Sequence, residues 1–249
     1  MRVLHLTDPH LFADPSGELR GTVTYASLQQ VLDHHRDSGW QADIVSCTGD
    51  LIQDDSAEAY EHFKSLLGPL GLPVHCVPGN HDVRALMQAA LDAPPFFYCD
   101  TAELGGWLMI GLDSCVSEQA GGAVSDDELD RFDAALAASD AAHVLVCLHH
   151  PPVPMGSEWL DTVGLDAGDA FLARINASGR VRLMLFGHVH QAYDRRHGNV
   201  QVIATPSTCR QFKPKSKAFA VDQRPPAYRR LTLRPDGSFD NELVWIDDA

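Results

Sequence analysis

The sequence is short of basic charge. Its 249 residues carry 19 lysines and arginines against 34 aspartates and glutamates, a formal net charge of −15. Proteins that bind nucleic acid neutralise phosphates with a basic stripe or patch. Here the basic residues are scattered, apart from two short groups at 195–196 and 224–230. We therefore expect a small-molecule partner and no nucleic-acid partner.

The chain also lacks long apolar runs and paired cysteine motifs. No stretch approaches the ~20 apolar residues of a membrane span, and no basic region or small-residue cleavage site marks the N-terminus. We therefore expect no membrane partner and a cytoplasmic location. The six cysteines form no CxxC pair, and three of them, Cys47, Cys76 and Cys147, lie in predicted strands. This favours reduced core thiols over disulfides or zinc-thiolate sites.

Repeats, low-complexity tracts and linkers are absent between residue 1 and about residue 203. We interpret residues 1–249 as a single domain. Within it, residues 206–249 are expected to form a C-terminal surface segment that ends in a strand pair, around 228–233 and 241–246. Asp236-Gly237 supplies the turn between these two strands.

Five short apolar runs predict buried strands of an α/β sheet. They are residues 3–6, 44–47, 74–77, 144–148 and 183–186. Helical patterns such as 25–36 and 126–138 separate them, and Ser125 with Glu128 has the spacing of a capping box at the start of the second helix. In open α/β sheets, ligands bind at the carboxyl ends of the strands. Polar side chains that follow these runs should therefore meet at one edge.

Metal-ligand side chains follow each of the five runs. They lie in Asp8-Pro9-His10, Gly49-Asp50, Gly79-Asn80-His81-Asp82, His149-His150 and Gly187-His188-Val189-His190. Side chains at i and i+2 of a strand share a face, so Asp8 with His10, and His188 with His190, can each present two ligands together. Oxygen and imidazole donors suit Mn, Fe or Zn, and two ions ~3.5–4 Å apart need a ligand that touches both. The five segments predict a site for two metal ions, with Asp50 as the bridging carboxylate.

In this order, the D-x-H, G-D, G-N-H-D, H and G-H-x-H segments resemble those of the calcineurin-like metallophosphoesterase superfamily. The resemblance spans residues 2 to about 205 and implies a four-layer α/β/β/α sandwich with a dinuclear metal centre. It implies that one metal ion is held by Asp8, His10, Asp50 and His190, and the other by Asp50, Asn80, His149 and His188.

Within this superfamily the chain is most similar to the bacterial class III cyclic nucleotide phosphodiesterases. It lacks the tyrosine ligand of purple acid phosphatases after G-D, and it lacks the G-D-x-V-D-R-G and G-N-H-E forms of serine/threonine phosphatases. Residues 7–12, 49–54, 157–161 (SEWLD) and 204–214 (ATPSTCRQFKP) resemble segments of the 3′,5′-cyclic AMP phosphodiesterases in particular. The resemblance implies hydrolysis of cyclic AMP to 5′-AMP by a metal-bound hydroxide. The implied cofactors are two ions, Fe or Mn with Zn as a further candidate, and the expected oligomeric state is a monomer or homodimer.

His81 is the candidate catalytic residue. It follows the implied ligand Asn80 and should approach the leaving oxygen, where proton donation is worth ~10²–10⁴-fold. Two nearby cations disfavour an imidazolium, so proton delivery and stabilisation of the phosphate by a neutral ring both stay open. We expect Asp82 to orient a histidine. The residues expected to contact the substrate are His10, Asp50, Asn80, His81 and His190.

Two other functions stay open. One is hydrolysis of another small phosphodiester, such as a glycerophosphodiester. Recognition of the base would distinguish a cyclic nucleotide phosphodiesterase from such an enzyme. The other is a metal-free binding scaffold, which unused buried carboxylates and histidines would make costly.

Several other conspicuous residues are expected to be structural or exposed. Trp159 is a candidate for stacking on a nucleobase, but the anchoring of a loop is favoured. His150 should point away from His149. The histidines expected to be structural are His5, His75 and His143, and those expected at the surface are His34, His35, His62 and His197.

Overall fold

The computed structural model describes residues 1–246. The last three residues of the segment predicted at 206–249 lie outside the described part of the chain. The strands, in chain order, are β1 (Arg2–Leu6), β2 (Glu18–Leu19), β3 (Thr22–Val23), β4 (Ile44–Thr48), β5 (Val74–Val77), β6 (Phe96–Tyr98), β7 (Thr101–Leu104), β8 (Trp107–Gly111), β9 (His143–Cys147), β10 (Val181–Phe186), β11 (Tyr193–His197), β12 (Val200–Ala204), β13 (Ala227–Leu233) and β14 (Phe239–Trp245). The helices are α1 (Thr24–Asp37), α2 (Ala57–Leu67), α3 (Arg84–Ala90), α4 (Asp126–Ala138) and α5 (Gly168–Ala177).

Two six-stranded sheets form the centre of the fold. The first has the order β14-β13-β1-β4-β5-β6, and the second has the order β11-β12-β10-β9-β8-β7. In each sheet four consecutive strands are parallel. Antiparallel pairing adds β13 and β14 at one edge of the first sheet, and β11 and β7 at the two edges of the second. The five strands predicted from the sequence are confirmed as β1, β4, β5, β9 and β10. The equally apolar β8 and β12 were not predicted, because no metal-ligand motif follows them.

The two sheets pack face to face and helices cover their outer faces. Between the sheets lie apolar side chains such as Val3, Ile44, Trp107, Leu145 and Leu183, all at most 4% exposed. A second core joins the first sheet to α1, α2 and α3, and a third joins the second sheet to α4 and α5. Full burial of one such aliphatic side chain stabilises by ~1.5–3 kcal/mol. The layers follow the order α/β/β/α, which confirms the expected sandwich.

The start of α4 shows how local sequence sets a boundary. The Ser125 hydroxyl accepts a hydrogen bond from the backbone N–H of Glu128 at 3.3 Å, which caps the helix. The Glu128 carboxylate does not return to Ser125, as a full capping box requires. Instead it accepts the backbone N–H of Asp113 at 2.8 Å and pairs with Arg131. Only half of the predicted box forms, because Glu128 ties the helix to the loop after β8.

The last two strands of the described chain form a hairpin. β13 and β14 pair antiparallel, with Ala227 opposite Trp245 and Leu233 opposite Phe239. At the turn, the Arg234 N–H donates to the Ser238 carbonyl at 2.9 Å. Among residues 1–246, no helix combines the length and the apolar character that crossing a bilayer requires.

Candidate metal centre

Both sheets supply side chains to one site. Three of the motif segments follow β1, β4 and β5 of the first sheet, and the other two follow β9 and β10 of the second. The site therefore lies at the carboxyl ends of parallel strands, as expected, but at the joint edge of two packed sheets.

The backbone at this edge is left-handed at five non-glycine positions. The φ angles are +52° at Asp8, +49° at His10, +51° at Asp50, +68° at His188 and +47° at His190. The expectation that these pairs present their side chains from strands is wrong, since β1 ends at Leu6 and β10 at Phe186. Such conformations cost ~1–3 kcal/mol each and persist where the surroundings impose them. Tight turns beyond the strand ends aim these side chains at the site.

One donor cluster contains Asp8, His10 and His190. Their ligand atoms lie within 4.8 Å of one another. Nε2 of His10 is 3.1 Å from Nε2 of His190, and the latter is 3.4 Å from Oδ1 of Asp8. Oδ2 of Asp50 lies 3.6 Å from Nε2 of His10. These four donors surround one point.

A second donor cluster contains Asn80, His149 and His188. Oδ1 of Asn80 is 2.9 Å from Nδ1 of His188 and 3.3 Å from Nε2 of His149. The two imidazole nitrogens are 3.2 Å apart. Oδ1 of Asp50 lies 3.5 Å from Nε2 of His149. The two carboxylate oxygens of Asp50 therefore face one cluster each.

Burial gives these donors unusual electrostatics. Six of them are at most 8% exposed: Asp8, His10, Asp50, His149, His188 and His190. Burial alone would raise the carboxyl pKa values, but the adjacent histidines outweigh it, so the pKa of Asp8 is lowered and that of Asp50 lies well below its usual range. Burial lowers the pKa of His10 and of His188 to about 3, so both rings are neutral donors.

The site is short of positive charge. In the described part of the chain, Asp8 and Asp50 form ion pairs with histidines and with no lysine or arginine. Burial lowers the pKa of His149, but the Asp50 carboxylate outweighs this effect and raises that pKa to about 9. The imidazolium of His149 offsets only one of the two buried carboxylates, Asp8 and Asp50, and a buried charge without a counter-charge is costly. The donor set therefore fits a dinuclear metal centre held by oxygen and imidazole ligands.

Backbone carbonyls orient two of the histidines. Nδ1–H of His149 donates to the Thr48 carbonyl at 2.7 Å, and Nδ1–H of His190 donates to the Arg210 carbonyl at 2.5 Å. Each bond leaves Nε2 free to face the clusters, as metal-ligating histidines require.

A buried chain of hydrogen bonds leads to Asp8. Each group donates to the next, at distances from 2.6 to 3.2 Å. The order is Arg229 Nε, Thr205 Oγ1, His5 Nδ1 and Nε2, Thr48 Oγ1, Thr7 Oγ1 and Asp8 Oδ2. Because the ionised Asp8 carboxylate can only accept, the single proton of each hydroxyl must point toward it, and this fixes the direction of the chain. His5 is buried with both nitrogens bonded, so its structural role is confirmed.

Two glycines permit the close approach of these segments. A Cβ at Gly187 would lie 2.1 Å from Oγ1 of Thr7, and a Cβ at Gly79 would lie 2.2 Å from Oδ1 of Asp50. Any side chain at either position would displace a residue of the donor set.

His81 lines the cleft beside the clusters. Its ring is 5.0 Å from the ring of His10, and its backbone N–H donates to Oδ1 of Asp50 at 2.9 Å. Nε2 of Gln53 donates to Nδ1 of His81 at 3.2 Å, which places the proton of the neutral ring on Nε2. Asp82 does not orient a histidine as expected. It accepts hydrogen bonds from the Gly79 and Leu51 amides and the Tyr60 hydroxyl, and so holds the loop that carries Asn80 and His81.

Two other expectations about histidines are wrong. His35, expected at the surface, is 4% exposed, because it lies on the inward face of α1 against Trp40 and Tyr228. His150 does not point away from the site. The chain has left β9 there, and the His150 ring packs 4.9 Å from His149, with Nδ1 2.9 Å from the Ser114 hydroxyl.

Residues 205–212 support the centre without supplying metal-ligand side chains. The Ser207 hydroxyl donates to the Asp8 carbonyl at 2.7 Å, and the ring of Phe212 stacks on His190 at 4.0 Å and 6°. The Gln211 amide binds the Ser207 backbone on both sides, at 3.0 and 2.8 Å, and so closes the loop. The only sequence signal for this role was the resemblance of the ATPSTCRQFKP segment, since its one residue of a metal-ligand type is the lone cysteine Cys209.

Comparisons with known proteins agree with this geometry. Residues 1–192 match the family model described as calcineurin-like phosphoesterase. The chain is 35% identical over 247 residues to the 3′,5′-cyclic adenosine monophosphate phosphodiesterase CpdA of Pseudomonas aeruginosa, covering 99% of this chain and 90% of that protein. It is 37% identical over 253 residues to CpdA of Escherichia coli K12, covering 100% and 91%.

A solved structure shares the fold at low sequence identity. A dimetal phosphatase from Danio rerio superposes with a TM-score of 0.66 at 16% identity, over 98% of both chains. This likeness concerns the fold alone.

Proposed function

The chain belongs to the calcineurin-like phosphoesterase family, and on that premise we propose that it hydrolyses 3′,5′-cyclic AMP to 5′-AMP at a dinuclear metal centre. The observation that carries the proposal is the position of Asp50 between two donor clusters, with one carboxylate oxygen toward each. The full-length similarity to relatives named as cyclic AMP phosphodiesterases supports the choice of substrate.

The proposed ligand sets follow the two clusters. Asp8, His10, Asp50 and His190 hold one ion, and Asp50, Asn80, His149 and His188 hold the other. The oxygen and imidazole donors favour Fe or Mn, with Zn as a further candidate. When bound, the ions supply Lewis acidity and lower the pKa of water toward ~7.

The side chains of the cleft then bind and orient the phosphodiester. His10, Asp50, Asn80, His81 and His190 are the proposed contact residues. In hydrolysis to 5′-AMP, the oxygen of water adds to phosphorus, the bond to the ribose 3′ oxygen breaks, and one proton of the water ends on that 3′ oxygen. His81 acts on this oxygen through its Nε2–H. The hydrogen bond that Gln53 donates to Nδ1 leaves the ring proton on Nε2, which faces away from Gln53.

The proposal extends to the domain organisation, the cellular location and the oligomeric state of the protein. We propose a single domain that acts in the cytoplasm on a small cyclic nucleotide as a monomer or homodimer. The absence of a disulfide among the six cysteines of the described chain supports a reducing compartment. The net charge of −15 argues against nucleic acid as a partner.

A substrate panel tests the proposal. The metal-loaded protein should hydrolyse cyclic AMP, and in H₂¹⁸O the label should appear in the phosphate of 5′-AMP and not of 3′-AMP. Hydrolysis of glycerophosphodiesters alone would refute the substrate and leave the diesterase chemistry standing. A lack of activity on every diester, in protein shown to contain two metal ions, would refute the function.

A further inference from the structure

The cleft that contains the metal ligands continues into an aromatic wall. A cavity of about 250 Å³ is lined both by donors of the two clusters and by the aromatic wall, which consists of Trp159, Phe212 and Phe219. The ring of Phe212 stacks on His190 and lies 5.2 Å from Phe219. Trp159 is 5.4 Å from Phe212 and 5.2 Å from Phe219. The apolar surface therefore begins at a metal ligand and extends outward.

Two loops hold this wall together. Residues 212–221 form a small hairpin, in which Phe212 bridges to Val221 and the Lys213 N–H donates to the Ala220 carbonyl at 2.8 Å. The hairpin docks on the turn before Trp159, where the Ser216 N–H donates to the buried Ser157 hydroxyl at 3.3 Å. The two segments that resemble cyclic AMP phosphodiesterases, 157–161 and 204–214, meet beside this contact, where the ring of Trp159 packs against that of Phe212.

The wall contains an exposed apolar ring and an N–H group without a hydrogen-bond acceptor among residues 1–246. Phe219 is 41% exposed, one of two large hydrophobic side chains so exposed in the described chain. Nε1 of Trp159 is buried and has no acceptor among residues 1–246. Buried donors without partners are rare and call for an explanation. An apolar ring beside an unused N–H matches a flat heterocycle that both stacks and accepts a hydrogen bond.

The charge near the wall is positive, in contrast to the chain as a whole. The guanidinium carbon of Arg20 lies 4.8 Å from the centre of the Phe219 ring, and Arg20 lines the same cleft. The hairpin also carries Lys213 and Lys215, whereas its third lysine, Lys217, lies 3.8 Å from the Glu158 carboxylate. A cation on an aromatic ring adds attraction for a π-system and for an anionic substrate.

We propose that Trp159, Phe212 and Phe219 form the subsite for the purine base of the cyclic nucleotide. Phe219 is the stacking face, Arg20 flanks it, and Nε1–H of Trp159 donates to a ring nitrogen. This inference rests on the proposed function. A ribose ring separates the base from the phosphate, so with the phosphate at the metal ions the base lies one sugar width away, beyond Phe212 and toward Phe219. A glycerophosphodiester has no group that would use these rings.

Removal of the stacking face tests the subsite. The variant is Phe219→Ala, and Leu104→Ala is the matched control, because Leu104 is 48% exposed and lies in the edge strand β7. The substrates are cyclic AMP and the 3′,5′-cyclic phosphate of 1-O-methylribose, which has the same scissile ring and no base. Stacking of one base predicts a ~5- to 150-fold rise in KM for cyclic AMP in Phe219→Ala. The kinetics of Phe219→Ala on the base-free compound should equal those of the wild type. Leu104→Ala should match the wild type on both substrates.

A conservative variant separates stacking from folding. Phe219→Tyr keeps the aromatic face and should restore the KM for cyclic AMP. Equal losses of Phe219→Ala on both substrates, or an unchanged KM for cyclic AMP, would overturn the subsite.

Fluorescence gives a reading that does not depend on hydrolysis. Addition of 5′-AMP should quench the tryptophan emission of the wild-type protein, ribose 5-phosphate should not, and Trp159→Phe should abolish the quenching. If the wild-type protein shows this quenching but does not hydrolyse cyclic AMP, the proposed function fails and the subsite stands. Quenching that persists unchanged in Trp159→Phe would overturn the subsite.

Discussion

The bridging position of Asp50 gives the sharpest prediction about the metal centre. Asp50→Asn keeps the size of the side chain and one oxygen but removes a negative charge. The carboxylate lies 3.6 Å from Nε2 of His10 in one cluster and 3.5 Å from Nε2 of His149 in the other. A single substitution therefore acts on both ion sites.

The magnitude follows from the charges in the site. Asp8 and Asp50 are the only carboxylates in the proposed ligand sets, so the variant halves the formal negative charge that faces two divalent ions. One unit charge 4 Å from another contributes ~4 kcal/mol at an effective dielectric constant of about 20. Even after an allowance for relaxation and for the oxygen that remains, a loss of ~2–3 kcal/mol lowers metal affinity by ~30- to 150-fold.

The assay is metal content per folded chain after dialysis against limiting Mn²⁺. We expect about two ions in the wild type and one or none in Asp50→Asn. Asp113→Asn is the matched control, because Asp113 is a partly buried carboxylate that bonds to Tyr98 and to the Cys115 amide outside the donor clusters. Equal metal content in Asp50→Asn and the wild type would refute the bridging assignment. So would equal metal loss in the two variants.

Two further predictions concern histidines with different roles. His81→Ala should keep both ions and lose ~10²–10⁴-fold in turnover of cyclic AMP, with a smaller loss on a diester that releases nitrophenolate; loss of metal would instead make His81 a ligand. For His75, burial lowers the pKa to about 4 from the usual 6.5. The neutral ring therefore contributes stability that is present above about pH 6.5 and is lost as the pH falls toward 4, because the unfolded chain binds the proton first. In the metal-free protein, the free energy of unfolding in urea should fall less steeply from pH 6.5 to pH 4 for His75→Phe than for the wild type. Identical slopes of unfolding free energy against pH would contradict the burial argument.

The sequence predicted well wherever a strand and a metal-ligand motif coincide. The apolar runs before Asp8, Asp50, Asn80, His149 and His188 identified the strands that converge on the site, because buried parallel strands have few polar residues and end at a common edge. The same criterion missed β8 and β12, whose apolar runs are equally clear but are followed by none of the paired or glycine-flanked ligand motifs.

Local conformation and side-chain environment were less predictable. Strand periodicity cannot reveal the left-handed turns at Asp8 and His190, which depend on tertiary contacts. The polar helical context of residues 25–36 likewise assigned His35 to the surface, since one buried histidine on a helix hardly changes the helical pattern. The aromatic wall could not be found from the sequence, because Trp159 and Phe219 are 60 positions apart and meet only through the docked hairpin.

The most direct test of the central claim is a titration of the metal-free protein with Mn²⁺, in which bound ions and hydrolysis of cyclic AMP are measured on the same samples. A dinuclear centre with a shared carboxylate predicts that hydrolysis reaches its plateau at two bound ions per chain and that exhaustive chelation abolishes it. Full activity at one bound ion per chain, or activity that persists in protein shown to be free of metal, would contradict the account.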